Sequence, residues 1–279
     1  DEAATRAAAV DVTSYVIDLD LTDATRAGVE TFGSTTTLTF TCREPGATTF
    51  ADLVDATIHE ITLNGAAIDP ATAYADSRIT LPDLQAENVL VVRADCTYSH
   101  TGEGLHHFVD PVDGKVYLYS QFEVPDARRV YTTFEQPDLK APFTFNVTAP
   151  AHWKVVSNAT TPAPVPTGTS NAQGEATAVW NFPATKPMST YITTLLAGPY
   201  AHRQDRWAGH PGSGAPEVPL WDCPCRACWS LEVETYDDRR DARGSGRAES
   251  GDRGGRVVRV PLVAGYSTTS LVERLRATS

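Results

Sequence analysis

Between Ser120 and Phe143 the chain reads SQFEVPDARRVYTTFEQPDLKAPF, a run in which Gln121, Glu123, Asp126, Arg128, Arg129, Glu135 and Asp138 sit among aromatic residues and prolines. Carboxylates, guanidiniums and amides at this density can do two kinds of work. They can tie neighbouring strands together by ion pairs, with Asp126, Arg128 and Arg129 as the ties. They can also hold acceptors in fixed geometry for a polar ligand, and clusters of that kind mark functional places. The residue types alone leave both readings open.

Other candidates read as structural. His59-Glu60-Ile61-Thr62-Leu63 is half of a zinc-protease H-E-x-x-H motif, but Leu63 replaces the second histidine. The local period is that of a strand, so His59 and residue 63 share no helical face. Cys223, Cys225 and Cys228 could offer three thiolates, yet a closed zinc site needs a fourth ligand and an ordered shell around it. No metal is therefore expected on this chain. His106 and His107 follow a glycine-rich stretch that reads as a loop, where a histidine pair serves packing or hydrogen bonding. Asn146-Val-Thr148 and Asn158-Ala-Thr160 fit the glycosylation pattern, but without a secretion signal they read as ordinary strand and turn residues.

The elements that must position these residues are strands. In VTSYVIDLDL, Tyr15, Ile17, Leu19 and Leu21 fall on one face and Ser14, Asp18 and Asp20 on the other, the alternation of a half-buried strand. STTTLTFTC repeats it with Leu38, Phe40 and Cys42 inward. TIHEITLNGAAI carries Asn64-Gly65, a pair suited to a tight hairpin turn. RITL, ENVLVVRADCTY, KVYLYSQF, FTFNVTAP, HWKVVSN, ATAVWNFP and TYITTLLAGPY read as further strands. No segment of a dozen residues shows a helical stripe. The fold class is all-β, sandwich-like or of curved sheets, over residues 1–204. Residues 160–176, rich in proline, glycine and threonine, read as a long surface hairpin. Residues 205–279 lose lysine and gain arginine among glycines, which predicts an irregular, poorly packed tail.

Charge and cysteines limit the function classes. A formal net charge of −12 over 279 residues opposes nucleic-acid binding. The N-terminus lacks the apolar core of a signal peptide, and no apolar run reaches membrane-spanning length. Cys42 and Cys96 sit in β-type sequence and read as buried thiols, which points to a reducing, cytoplasmic setting.

TGEGLHHFVDPVDGKVYLYSQFEVPDARRVYTTFEQPDLKAPFTFNVTAP closely resembles the N-terminal domain of the aminopeptidase N family, zinc-dependent gluzincin peptidases, in an actinobacterial form. The resemblance runs from about Val12 to Tyr200 and rests on several pieces in family order. These are G-E-G-L, Q-F-E with A-R-R, F-x-x-P-x-x-K-A-x-F, and the later S-N and M-S-T-Y. It implies a saddle-shaped β domain that caps a catalytic domain, with the Q-F-E loop reaching into the active site.

By that resemblance Gln121 lines the pocket for the first substrate side chain and Glu123 holds the free α-amino group. The Glu123-Val124 bond is expected to be cis. The implied partners are peptides with a free N-terminus and the catalytic domain. Where many relatives read F-D-E-P, this chain has Phe134-Glu135-Gln136-Pro137, which weakens a substrate role for positions 135 and 136. G-A-M-E-N and H-E-x-x-H are absent from all 279 residues. Zinc then belongs to the longer enzyme, and this chain is expected to be an inactive piece of it. The alternative is a free-standing, non-catalytic β interaction module.

Overall fold

The computed structural model describes residues 2–204 and 219–222. After a helix α1 (Glu2–Ala9), the chain runs through β1 (Val10–Asp20), β2 (Thr31–Cys42), β3 (Thr49–Asp52), β4 (Ala56–Leu63) and β5 (Ala66–Ile68). A one-turn helix α2 (Pro70–Ala73) leads to β6 (Tyr74–Ala75), β7 (Arg78–Leu81), β8 (Glu87–Thr97), β9 (Gly104–Val109) and β10 (Val116–Gln121). A 3₁₀ turn at Ala127–Arg129 precedes β11 (Phe143–Pro150), β12 (Lys154–Ser157), β13 (Val165–Ser170) and β14 (Ala176–Asn181). A second 3₁₀ turn at Thr190–Ile192 precedes β15 (Leu195–Gly198), β16 (Ala201–Gln204) and β17 (Pro219–Asp222). The fold class is all-β, as the alternation predicted.

The main sheet has eight strands in the order β13-β14-β11-β1-β2-β8-β4-β5. The β1 and β11 pair is parallel. A four-stranded sheet, β12-β15-β10-β9, and a three-stranded one, β3-β7-β6, accompany it. The inward face follows the two-residue period: Tyr15, Ile17 and Leu19 on β1, Leu38 and Phe40 on β2, Leu90, Val92 and Cys96 on β8, and Phe143, Phe145 and Val147 on β11 are all buried. Val10 and Tyr15 are both buried although five positions apart, because a bulge between Val12 and Ser14 resets the phase. Asn64 and Gly65, at φ of 55° and 79°, make the tight turn from β4 to β5.

Cys42 and Cys96 are free and buried. Cys96 pairs with Phe32, at the opposite end of β2 from Cys42, which separates them by about 30 Å at some 3.3 Å per residue. No bridge can span that distance.

Several expectations are corrected. Glu2–Ala9 is helical where no helix was read. Residues 160–176 do form a hairpin, but one arm is the exposed edge strand β13. It shows no burial alternation because it lies at the sheet margin, and the Thr167 hydroxyl bonds the Thr177 carbonyl across the pair at 3.1 Å. His106 and His107 lie within β9 rather than in a loop. The expected boundary at residue 205 and the character of the tail lie outside the described residues, apart from Pro219–Asp222, which pairs with Ala201–Gln204.

At the centre, Tyr15 stacks on Phe143 with ring centroids 4.6 Å apart and an interplanar angle of 1°. Its hydroxyl accepts from the backbone N–H of Phe134 at 3.1 Å and from the Thr133 hydroxyl at 3.2 Å. Tyr15→Phe keeps the stack and strands both buried donors. The expected loss is about 1–3 kcal/mol, read as a lower urea midpoint with an unchanged slope.

Candidate substrate-anchoring loop

The loop begins where β10 ends. Gln121 and Glu123 are exposed, and between them Phe122 is buried, edge-on to Tyr131 with centroids 6.1 Å apart. One buried aromatic thus turns its two polar neighbours outward. Ser120 ties the strand end to the facing segment, since its hydroxyl accepts from the N–H of Leu195 at 2.7 Å. Asn158 holds that segment too, donating to the Ile192 carbonyl at 3.0 Å and accepting from the Thr194 N–H at 2.7 Å. Asn146 donates to Asp18 at 2.9 Å. Both asparagines therefore have structural work.

Beyond Glu123 the chain turns through Val124-Pro125, whose peptide bond is cis. The expected cis bond at Glu123-Val124 is thus one position early. The tertiary amide before proline has a far smaller trans preference than an ordinary peptide bond. Asp126 and Arg129 then pair at 2.8 Å, and Arg129 reaches Asp55 at 2.7 Å. The Arg128 side chain donates to the Pro125 carbonyl at 2.9 Å. So Arg129, paired with Asp126, ties the loop to the turn between β3 and β4, where the Val54 N–H also donates to the Arg128 carbonyl at 2.8 Å, whereas the Arg128 side chain bonds within the loop. Asp138 is exposed.

From Arg128 to Gln136 the chain runs through the interior without being a strand, and each backbone N–H has an acceptor. Arg128 donates to Glu135 Oε2 at 2.8 Å, Thr132 to Thr36 Oγ1 at 3.1 Å, Phe134 to Tyr15, and Glu135 to Asp52 Oδ2 at 3.1 Å. Thr133 exchanges backbone bonds with Asp52 at 2.7 and 3.1 Å, and the remaining N–H groups close local turns. Tyr131, Phe134 and Thr133 are fully buried. Asp52, which also accepts from Arg6 at 3.1 Å, was not singled out in the sequence.

His59 on β4 pairs with Asp95 on β8 at 2.9 Å, and His107 Nε2 meets the Ala24 carbonyl at 2.9 Å. His106 packs on Tyr119 with ring centroids 4.7 Å apart, and burial together with His100 and His107 lowers its pKa. Among the described residues, no group of three or more His, Cys, Asp and Glu side chains gathers around a common point where a metal could sit. Cys223, Cys225 and Cys228 lie outside the described residues.

A family model, the peptidase M1 N-terminal domain, matches residues 14–192. The chain belongs to this family. It is 53% identical over 201 residues to the aminopeptidase N of Streptomyces lividans, covering 72% of this chain and 22% of that protein. It is 38% identical over 94 residues to the aminopeptidase N of Acetobacter pasteurianus, 34% of this chain and 25% of that protein. The probable aminopeptidase 1 of Saccharolobus solfataricus is 35% identical over 88 residues, 32% of this chain and 10% of that protein. The chain thus spans a quarter or less of the length of these relatives.

The M1 domain's sequence marks acquire physical reasons here. Gly104, in G-E-G-L, pairs with Gln121 across β9 and β10 and has φ of 65°. A Cβ there would lie 3.1 Å from Arg129 Cβ, so the glycine makes room for the arginine of A-R-R. Glu135, in the divergent F-E-Q-P, points inward, where its other oxygen accepts from the Thr190 hydroxyl. Gln136 accepts from Arg6 at 3.0 Å and donates to the Ala3 carbonyl at 2.9 Å. Both side chains are bonded within the domain.

Burial raises the Glu135 pKa above the ordinary carboxylate value, and its hydrogen bonds from Thr190 and the Arg128 N–H only partly oppose this. Its contribution to stability is therefore greatest below the pKa of the unfolded carboxylate and is lost as pH rises through the folded value. Glu135→Gln keeps an acceptor for Arg128 and can donate to Thr190. Urea unfolding from pH 4 to 7 should show the variant gaining on the parent as pH rises.

Proposed function

We propose that this chain is the N-terminal part of a zinc-dependent aminopeptidase and supplies the grip on the substrate's free N-terminus. Glu123 takes the α-ammonium and Gln121 lines the pocket for the first side chain. The observation that carries the reading is their placement. Both are exposed, flanking the buried Phe122, at the mouth of a segment whose backbone is bonded throughout from Arg128 to Gln136. An acceptor held by so rigid a support loses little freedom on binding. Once a catalytic domain covers the face, the carboxylate and ammonium meet out of water, where a charge-assisted hydrogen bond is strong. A peptide without a free amine leaves that carboxylate unpaired, which confines cleavage to N-termini.

Zinc does not fit the described residues, which offer no ligand set. The metal and the reacting groups belong to the catalytic domain as partner.

Two experiments test the proposal. Purified alone, the chain should hydrolyse an alanyl chromogenic substrate at background with or without added zinc, and zinc-dependent turnover would refute the division of labour. In a chimera, residues 1–200 replace the matching part of the Streptomyces lividans aminopeptidase N. There Glu123→Gln should weaken binding of substrates and amine-bearing inhibitors by about 1.5–3 kcal/mol, roughly one to two powers of ten. Unchanged kinetics would return the loop to a purely structural role.

A further inference from the structure

Arg6 is the one side chain of α1 that is buried, at 8% exposure. Its guanidinium lies over the Phe50 ring, 4.5 Å from the centroid, and 5.6 Å from the centroid of Phe134. Nη1 donates to Asp52 Oδ2 at 3.1 Å and Nε to Gln136 Oε1 at 3.0 Å. Aromatic rings against the flat faces and acceptors at the edge are what a guanidinium needs and what an ammonium cannot fully use.

Phe50, Asp52 and Phe134 are held independently of the helix, whereas Gln136 also donates to the Ala3 carbonyl of α1. Phe50 and Asp52 belong to β3, which pairs with β7. Phe134 packs edge-on against Phe40 with centroids 5.1 Å apart. Asp52 Oδ2 is fixed by the N–H of Glu135. The helix, by contrast, is held through side chains: Arg6 in the receptor, the Glu2–Arg78 pair, and Arg43, which donates to the Ala7 and Ala8 carbonyls. At 8 residues, EAATRAAA is too short to persist alone, and it precedes the residues 14–192 that the family model matches. A cavity adjoining Arg6 opens between α1 and the loop, walled by Pro125, Arg128 and Glu135.

We propose that Phe50, Asp52, Phe134 and Gln136 form a guanidinium-binding site, filled in this chain by its own Arg6 and able to take a small guanidinium from solution when that side chain is removed. The site is distinct from the peptide-anchoring role of Gln121 and Glu123. By closing on Asp52, its occupant stabilises the carboxylate that also holds the Glu135 N–H, and so the inner half of the loop.

Chemical rescue tests this on the full chain. Arg6→Ala leaves Asp52 buried without its ion-pair partner, which should lower the thermal midpoint by on the order of 10 °C. Millimolar ethylguanidinium should recover most of that fall, the same concentration of ethylammonium should not, and neither should raise the midpoint of the parent. Adding Asp52→Asn to Arg6→Ala should abolish the recovery. If Arg6→Ala does not fold unaided, refolding yield replaces the midpoint, and folding that requires ethylguanidinium supports the site. An unchanged midpoint in Arg6→Ala, no rescue, or equal rescue by ethylammonium overturns it.

Discussion

A stretch of backbone that crosses a protein interior without joining a sheet must find a partner for every N–H it buries, because an unmade buried hydrogen bond costs far more than a made one contributes. Residues Arg128 to Gln136 are under that constraint. The solution is to recruit side-chain oxygens from distant strands: Thr36 from β2, Tyr15 from β1 and Asp52 from β3. These three residues are buried polar groups in otherwise apolar strands. Their burial is tolerable because the loop satisfies them in return.

From this follows the character of the loop's outer end. A segment whose inner half is bonded to the core has little freedom at the turn that leads into it. Phe122 packs on Tyr131, the Arg129 guanidinium joins Asp126 to Asp55, and Gly104 yields the space across which Arg129 lies. Gln121 and Glu123, the polar residues of an exposed turn that also holds Val124 and Pro125, are therefore presented rather than merely exposed. A peptide-binding role asks for such presentation, since a carboxylate that must select an ammonium is useful only if its position is set beforehand.

Alternation made most of the sheet framework legible, because a strand with one buried face writes a period of two into its letters. Tyr15, Ile17 and Leu19, Leu38 and Phe40, and the Asn64-Gly65 turn were all readable for that reason. What escaped reading has no local signature. An aspartate in Thr49–Asp52 looks like any surface carboxylate, and its partners Arg6 and Glu135 are far away along the chain. Helix α1 is alanine-rich without an apolar stripe and is held mainly by polar contacts: buried Arg6, the Glu2–Arg78 pair, and the Arg43 and Gln136 side chains that donate to its carbonyls. Strand β13 is exposed throughout, so it carries no alternation. Gln121 and Glu123 stand out only through family resemblance, since an exposed glutamine and glutamate are physically ordinary until a partner covers them.

Native-state hydrogen exchange on residues 122–136 tests the central claim, that an immobile buried segment carries the two outward residues. The amides of Thr132, Phe134 and Glu135 should exchange only with the global opening that also releases the core strands β1 and β2, while the exposed Glu123 exchanges without it. Exchange of Thr132, Phe134 and Glu135 at the rate of Glu123, well ahead of β1 and β2, would show a segment that opens locally and would contradict the account.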